Sequence, residues 1–314
     1  LPPGRWSAAA TTRTSICPLR QHDDALIPLK DNVPTRRFPV VTVGLIVACV
    51  AVFIWQLSFS SSAEFSSSFP GISQRDGNTI EYGAIPYRLT HPGKECALGA
   101  VTISVHEAEP AIVCQGTAEY REAKTLHEQN PSSIPPPQPL DAVPWFATIF
   151  TSMFMHGSIF HIFFNMLFLW VFGNNVEDAM GRFRFLLFYL VGGVAAVYGQ
   201  SLLDPSSTVP TIGASGAVAA VLGAYLVLLP RARVVTLIFL LFFVTLIEVP
   251  AYVLLGIWFV LQFLPALGQV SASDIAGSGV AYFAHVAGFL FGMALVKLLV
   301  QRTPGRAPPA FPAY

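Results

Sequence analysis

Six stretches of this chain, each about 18–20 residues long, are almost free of charge, and they dictate what it can fold into. A helix rises 1.5 Å per residue, so such a stretch crosses a hydrocarbon layer of about 30 Å while satisfying its own backbone polar groups. Charged residues make up only 11% of the chain, against about 25% in ordinary soluble domains. The expected fold class is therefore an all-α membrane protein, a multi-pass bundle of six transmembrane helices with the lipid bilayer as its surroundings. Its 18 basic and 18 acidic residues cancel, so net charge points to no nucleic-acid partner.

The first span is read over 38–57, behind Arg36 and Arg37, with Trp55 as an interfacial anchor. A long polar loop, 58–145, follows and ends in the proline-rich spacer "SSIPPPQP". The apolar run from Trp145 to Gly173 is too long for one upright crossing. Gly157-Ser158 divides it into an interfacial piece, 145–156, and a second span, about 158–175. The third and fourth spans fall near 184–203 and 212–229. Residues 234–264 carry one acid, Glu248, beside Pro250. An acid suits the positive end of a helix dipole and proline its first turn, so a fifth span is expected over about 249–267. Residues 234–247 then become a re-entrant or interfacial piece, and the sixth span runs over about 279–299.

This divides the chain into a tail (1–37), the first span (38–57), an outer loop (58–145), a core (146–299) and a second tail (300–314). Residues 1–26 show no apolar h-region of a signal peptide and take no part in the argument. Lysine and arginine crowd the tails and the turns at 182–184 and 231–233, whereas the turns at 204–210 and 268–278 have none. The positive-inside rule then puts both termini in the cytoplasm and the loop outside. Cys96 and Cys114 share that loop, and in an extracytoplasmic setting they can form a disulfide. A zinc site using His91, Cys96, His106 and Cys114 is the alternative, but no CxxC spacing supports it, and no metal is expected.

Polar side chains deep in a span are costly and usually face the bundle interior. The set that remains is His161 and Asn165 in the second span, Ser215 in the fourth and His285 in the sixth, all near the outer end of their helix. His161 and Asn165 are four apart and share a face. Gly288 and Gly292 lie on the His285 face, and Ser215, Ala219 and Gly223 form a matching small-residue stripe, so the two helices can approach closely. A serine within reach of a histidine is a minimal activated nucleophile. Asn165, His161 and the Ser215 N–H can supply oxyanion donors, while Gly213 and Gly216 leave room for a substrate backbone.

At these residues the chain resembles the rhomboid family of intramembrane serine proteases, in a bacterial type with six helices. "HIFFN" at 161–165 is similar to its HxxxN signature, "GASG" at 213–216 to its GxSG motif, and "AHVAGFLFG" at 284–292 to its AHxxGxxxG. The resemblance implies a Ser215–His285 dyad without aspartate or cofactor, an oxyanion hole lined by His161 and Asn165, and transmembrane protein substrates cut near the outer face. It also implies a bacterial plasma membrane as the setting. His156 corresponds to a further family histidine, read as structural, as are Glu177 and Arg182 in a charged turn. In well-known members a tyrosine four residues after the nucleophile stacks on the histidine. Here Ala219 stands there, so other packing must position His285. Alternatives are a catalytically inactive relative that binds membrane clients, and a transporter, for which no internal repeat is found. A triad through Asp204 or Asp274 is a further option, although both acids lie in turns.

Overall fold

Gly181 ends one long apolar helix and opens the next, and hinges of this kind set the architecture. The structure, a computed structural model, describes residues 26–61, 72–104, 107–240, 243–271 and 280–302. The expected tails beyond these limits, His106 in part of the zinc alternative, and Asp274 lie outside the described residues.

In chain order the elements are β1 (Leu26–Asp31), α1 (Val40–Leu57), α2 (Gln74–Tyr82), α3 (Pro86–Thr90), β2 (Cys96–Ser104), β3 (Glu107–Cys114), α4 (Ala118–Gln129) and β4 (Gln138–Pro139). They continue with α5 (Trp145–Thr151), α6 (Ile159–Met180), α7 (Arg182–Leu203), α8 (Ser215–Leu228), β5 (Arg233–Leu240), β6 (Phe243–Pro250), α9 (Ala251–Ser271) and α10 (Tyr282–Leu299). Among the described residues four helices, α1, α6, α7 and α10, are long and apolar enough to cross a membrane. The 14-residue α8 spans only about 20 Å, less than the thickness of a hydrocarbon layer of about 30 Å.

The bundle is built around α8, whose residues from Gly216 to Tyr225 are all buried. Its small residues meet those of α10 backbone to backbone. A Cβ on Gly288 would fall on the Gly216 carbonyl oxygen, one on Gly292 on that of Ala220, and one on Gly223 on that of Phe289. Such closeness brings many weak dispersion contacts into range where lipid tails give helices no hydrophobic reason to associate. At the opposite end, Glu177 caps α1 from another helix. Its carboxylate accepts the N–H groups of Val41 and Thr42 at 3.0 and 2.8 Å and the Thr42 hydroxyl at 2.8 Å. Glu177 thus lies in the last turn of α6, not in a turn after it, and its role there is to satisfy orphan helix donors. Asp31 is a second tie, accepting from Tyr225 Oη of α8 and Asn175 Nδ2 of α6, both at 2.6 Å.

The all-α expectation is corrected by two three-stranded antiparallel sheets, ordered β1-β5-β6 and β3-β2-β4. Residues 234–240 and 243–247, within the stretch read as a re-entrant or interfacial piece, lie in paired strands, with Arg233 opposite Pro250 and Leu240 opposite Phe243. The physical reason lies in the residues. Val234, Val235, Thr236, Ile238, Val244, Thr245, Ile247 and Val249 are β-branched, crowd a helical turn and suit a pleated surface. Glu248 consequently does not sit at a helix terminus. It lies in β6 and faces Arg233 at 3.5 Å, and α9 starts at Ala251.

The loop between α1 and α5 is a folded unit. Its sheet pairs Cys96 with Cys114 directly opposite each other, and a disulfide joins them. Ile85, Tyr87, Leu98, Ile134 and Leu140 pack around it. The unit is tied to the helices by backbone: Ala84 and Thr211 exchange N–H to carbonyl bonds at 3.1 and 2.8 Å, and the Tyr87 N–H donates to the Ser207 carbonyl at 2.9 Å. The bridge closes a separation of 18 residues, which corresponds to about 3 kcal/mol of loop-closure entropy. Replacing both cysteines with serine should lower the stability of this unit by about that amount. Limited proteolysis checks it: faster cutting confined to 72–140, with the helices intact, is the expected pattern.

Candidate active site

The start of α8 is shaped by what precedes it. Thr211 is held by the bridge to Ala84, and the Gly213 N–H donates to the Ser152 carbonyl at 2.8 Å. Gly213 has φ +117°, a conformation that glycine alone adopts without strain. A Cβ there would also lie 2.7 Å from His161 Nε2, so the residue must be glycine on two counts. The chain then turns into α8 with Ser215 as its first helical residue, against the expectation that the span begins at 212. An N–H in this position has no partner within its own helix.

His285 approaches from the first turns of α10, and its Nε2 lies 2.8 Å from Ser215 Oγ. The close packing of α8 on α10 sets this distance. Gly216, expected to leave room for substrate, instead faces inward. A Cβ on it would strike Ala196 of α7, at 2.5 Å, and the Ala284 carbonyl lies nearby. The correction follows from helix geometry: Ser215 faces His285, and the next residue, about 100° around, turns into the bundle.

The second span contributes its outer end. Ser158 caps α6 by accepting the His161 N–H at 3.1 Å, which sets His161 two residues inside the helix and beside Gly213. Asn165 lies one turn further on, buried, and its Nδ2 has no hydrogen-bond partner among the described residues. An unpartnered buried amide donor is unusual in a native structure and calls for a role. His156 packs edge-on against His161, ring centroids 5.1 Å apart. Its backbone is clasped by Gln56 at the end of α1, whose amide accepts its N–H at 3.0 Å and donates to its carbonyl at 3.3 Å.

Two residues at this site escaped the sequence reading. Gln56 is one. The other is Gln262 of α9, whose Oε1 lies 2.7 Å from His285 Nδ1. Its signal was present in "WFVLQFLP" as an amide side chain in the middle of an apolar span, a feature of the same kind that singled out Asn165. Trp258, four residues earlier, walls the imidazole with ring centroids 6.1 Å apart and planes 37° from parallel. Ala219 is fully buried and presents nothing to the ring but a methyl group facing Gly288. Asp204 ends α7 and accepts from the Ser206 hydroxyl at 3.3 Å, while the Nδ1 position of His285 is taken by Gln262. No group of three metal-ligating residues occurs among the described residues.

Comparison with known proteins adds a family match. The Rhomboid domain model matches residues 145–302, half of the chain. "Rhomboid protease GluP" of Bacillus subtilis is 40% identical over 78 residues, 25% of this chain and 15% of that protein. "Presenilin-associated rhomboid-like protein A, mitochondrial" of Danio rerio is 34% identical over 84 residues, 26% of this chain and 22% of the relative. The human "Presenilin-associated rhomboid-like protein, mitochondrial" is 31% identical over 150 residues, 45% of this chain and 35% of the relative. The chain thus spans about a third or less of the length of the curated relatives it matches.

Proposed function

The chain belongs to the rhomboid family, and from that premise we propose that it is an intramembrane serine endopeptidase acting through a Ser215–His285 dyad. The observation that carries the reading is the 2.8 Å approach of His285 Nε2 to Ser215 Oγ at the paired starts of α8 and α10. In the proposed reaction Ser215 Oγ attacks the scissile carbonyl while His285 Nε2 takes its proton. The tetrahedral oxyanion is met by the Ser215 N–H, Asn165 Nδ2 and the His161 edge. Collapse expels the amine, which leaves with the proton from His285, and an acyl group stays on Ser215. A water, deprotonated by His285, then attacks the acyl carbon, and collapse frees the carboxylic product as His285 returns that proton to Ser215 Oγ.

Substrates are transmembrane segments of other proteins, cut where a helix can unwind near the outer face. The proposal includes six crossings, both termini in the cytoplasm and the loop unit outside. A bacterial plasma membrane remains the proposed setting, although two of the relatives above carry mitochondrial names. The test is cleavage of a model single-pass substrate by purified protein in liposomes. A well-folded wild type that cuts none of several substrates would overturn the reading in favour of an inactive, client-binding relative.

Asn165→Ala should lower kcat/KM by about 10²–10³ through loss of one oxyanion donor. Its Nδ2 has no partner among the described residues, so the melting temperature is expected to stay where it was. Equal losses in activity and in thermal stability would show instead that Asn165 only holds helices together.

A further inference from the structure

We propose that Gln262 is a positioning residue of the dyad, its side-chain oxygen accepting the Nδ1–H of His285 so that Nε2 alone faces Ser215. The inference rests on the serine-protease reading above.

A neutral imidazole carries one proton on two nitrogens, and which nitrogen holds it is set by the partner of the other. A base that must take a hydroxyl proton at Nε2 has to be protonated at Nδ1. The Gln262 Oε1 contact at 2.7 Å supplies an acceptor there, and an oxygen without hydrogen can only accept. Turning the amide over would aim its NH2 at Nδ1, force the proton to Nε2 and leave Ser215 facing a donor. Only one orientation of the amide is therefore productive.

Soluble triads place a carboxylate at this position, where it holds the tautomer and steadies the imidazolium. A charged carboxylate within a span is expensive, and a neutral amide keeps the acceptor without the charge. Burial reinforces the constraint, since Gln262 is only 5% exposed and water cannot readily replace it. Gln262 and Trp258 lie four apart on α9, so one helix face delivers both the acceptor and the wall against the ring. Phe289, one turn beyond His285, packs on Trp258 and Phe259 at 5.8 and 4.9 Å and fixes the register of α9 on α10. The other packing expected in place of the relatives' tyrosine at position 219 is thus a device on a different helix.

The experiment compares Gln262→Met and Gln262→Glu with wild type in the liposome cleavage assay, each with a thermal melt. Methionine keeps the length and removes the acceptor; glutamate keeps an acceptor. The expected result is a fall in kcat of roughly 10–100-fold for Met, with KM within a factor of about two, and recovery of most of that loss for Glu. Met and Glu variants that behave alike, whether both active or both inactive, would overturn the inference, because a packing role reads size rather than an acceptor. Wild type that fails to cut would be a separate outcome, removing the proteolytic reading and this inference with it.

Discussion

Ser215→Ala and His285→Ala are each expected to reduce cleavage of a single-pass substrate by a factor on the order of 10⁶, the loss seen when one member of a nucleophile–base unit is removed. The two residues act as one device, so the double variant should be no slower than either single one. For Ser215→Ala, stability should hardly change. The Ser215–His285 contact is one hydrogen bond of 2.8 Å, with a net contribution of about 0.5–1.5 kcal/mol, and His285 keeps its bond to Gln262 when the serine is gone. Cleavage kinetics in liposomes together with thermal melts measure both quantities. Cutting that survives Ser215→Ala would sink the proposed mechanism, because Ser215 Oγ is the hydroxyl held against His285 Nε2.

The second large effect is structural. In Gly292→Leu the new Cβ lands on the Ala220 carbonyl oxygen, closer than real Cβ atoms come to anything. A side chain in the way can change rotamer, but here the obstacle is the backbone of α8. The helices must separate, at a cost of about 3 kcal/mol or more for overpacking in so tight a contact. Any population that still folds should be nearly inactive, since a shift of about 1 Å at the dyad loses on the order of 10² in rate. Gly44→Leu is the matched control. Nothing lies within 4 Å of a Cβ on Gly44, so its melting temperature and activity should stay at wild-type values. A Gly292→Leu protein as stable as the control would mean that α8 and α10 are not held together in this way.

The helices were legible in the sequence because their signal is local. Charge-free length alone predicts α1, α6, α7 and α10 to within a few residues, and the cost of polar groups in lipid picks out His161, Asn165, Ser215 and His285. What was lost depended on partners far along the chain. Glu248 beside Pro250 reads locally as the start of a helix, and only the pairing with β5 makes it a strand residue. The outer unit owes its sheet to β2, β3 and β4 meeting in register, a matter of long-range closure that no window of sequence contains. Glu177 looked like a turn residue because its three donors belong to α1, 135 or 136 positions earlier. Gln262 was missed for a different reason. Glutamine is common enough to pass as incidental, and its importance comes from which ring nitrogen it touches.

Ser215, Gln262 and His285 are coded on α8, α9 and α10, three successive helices. A chain born from its N-terminus delivers them to the bilayer in that order. In the proposed mechanism the serine therefore arrives with neither base nor orienting amide and stays chemically mute until the last of the three has docked. A half-inserted newcomer among unassembled membrane proteins would be harmless to its neighbours. Proteolytic power in the proposed enzyme would appear only at the end of biogenesis, as a certificate that assembly is finished.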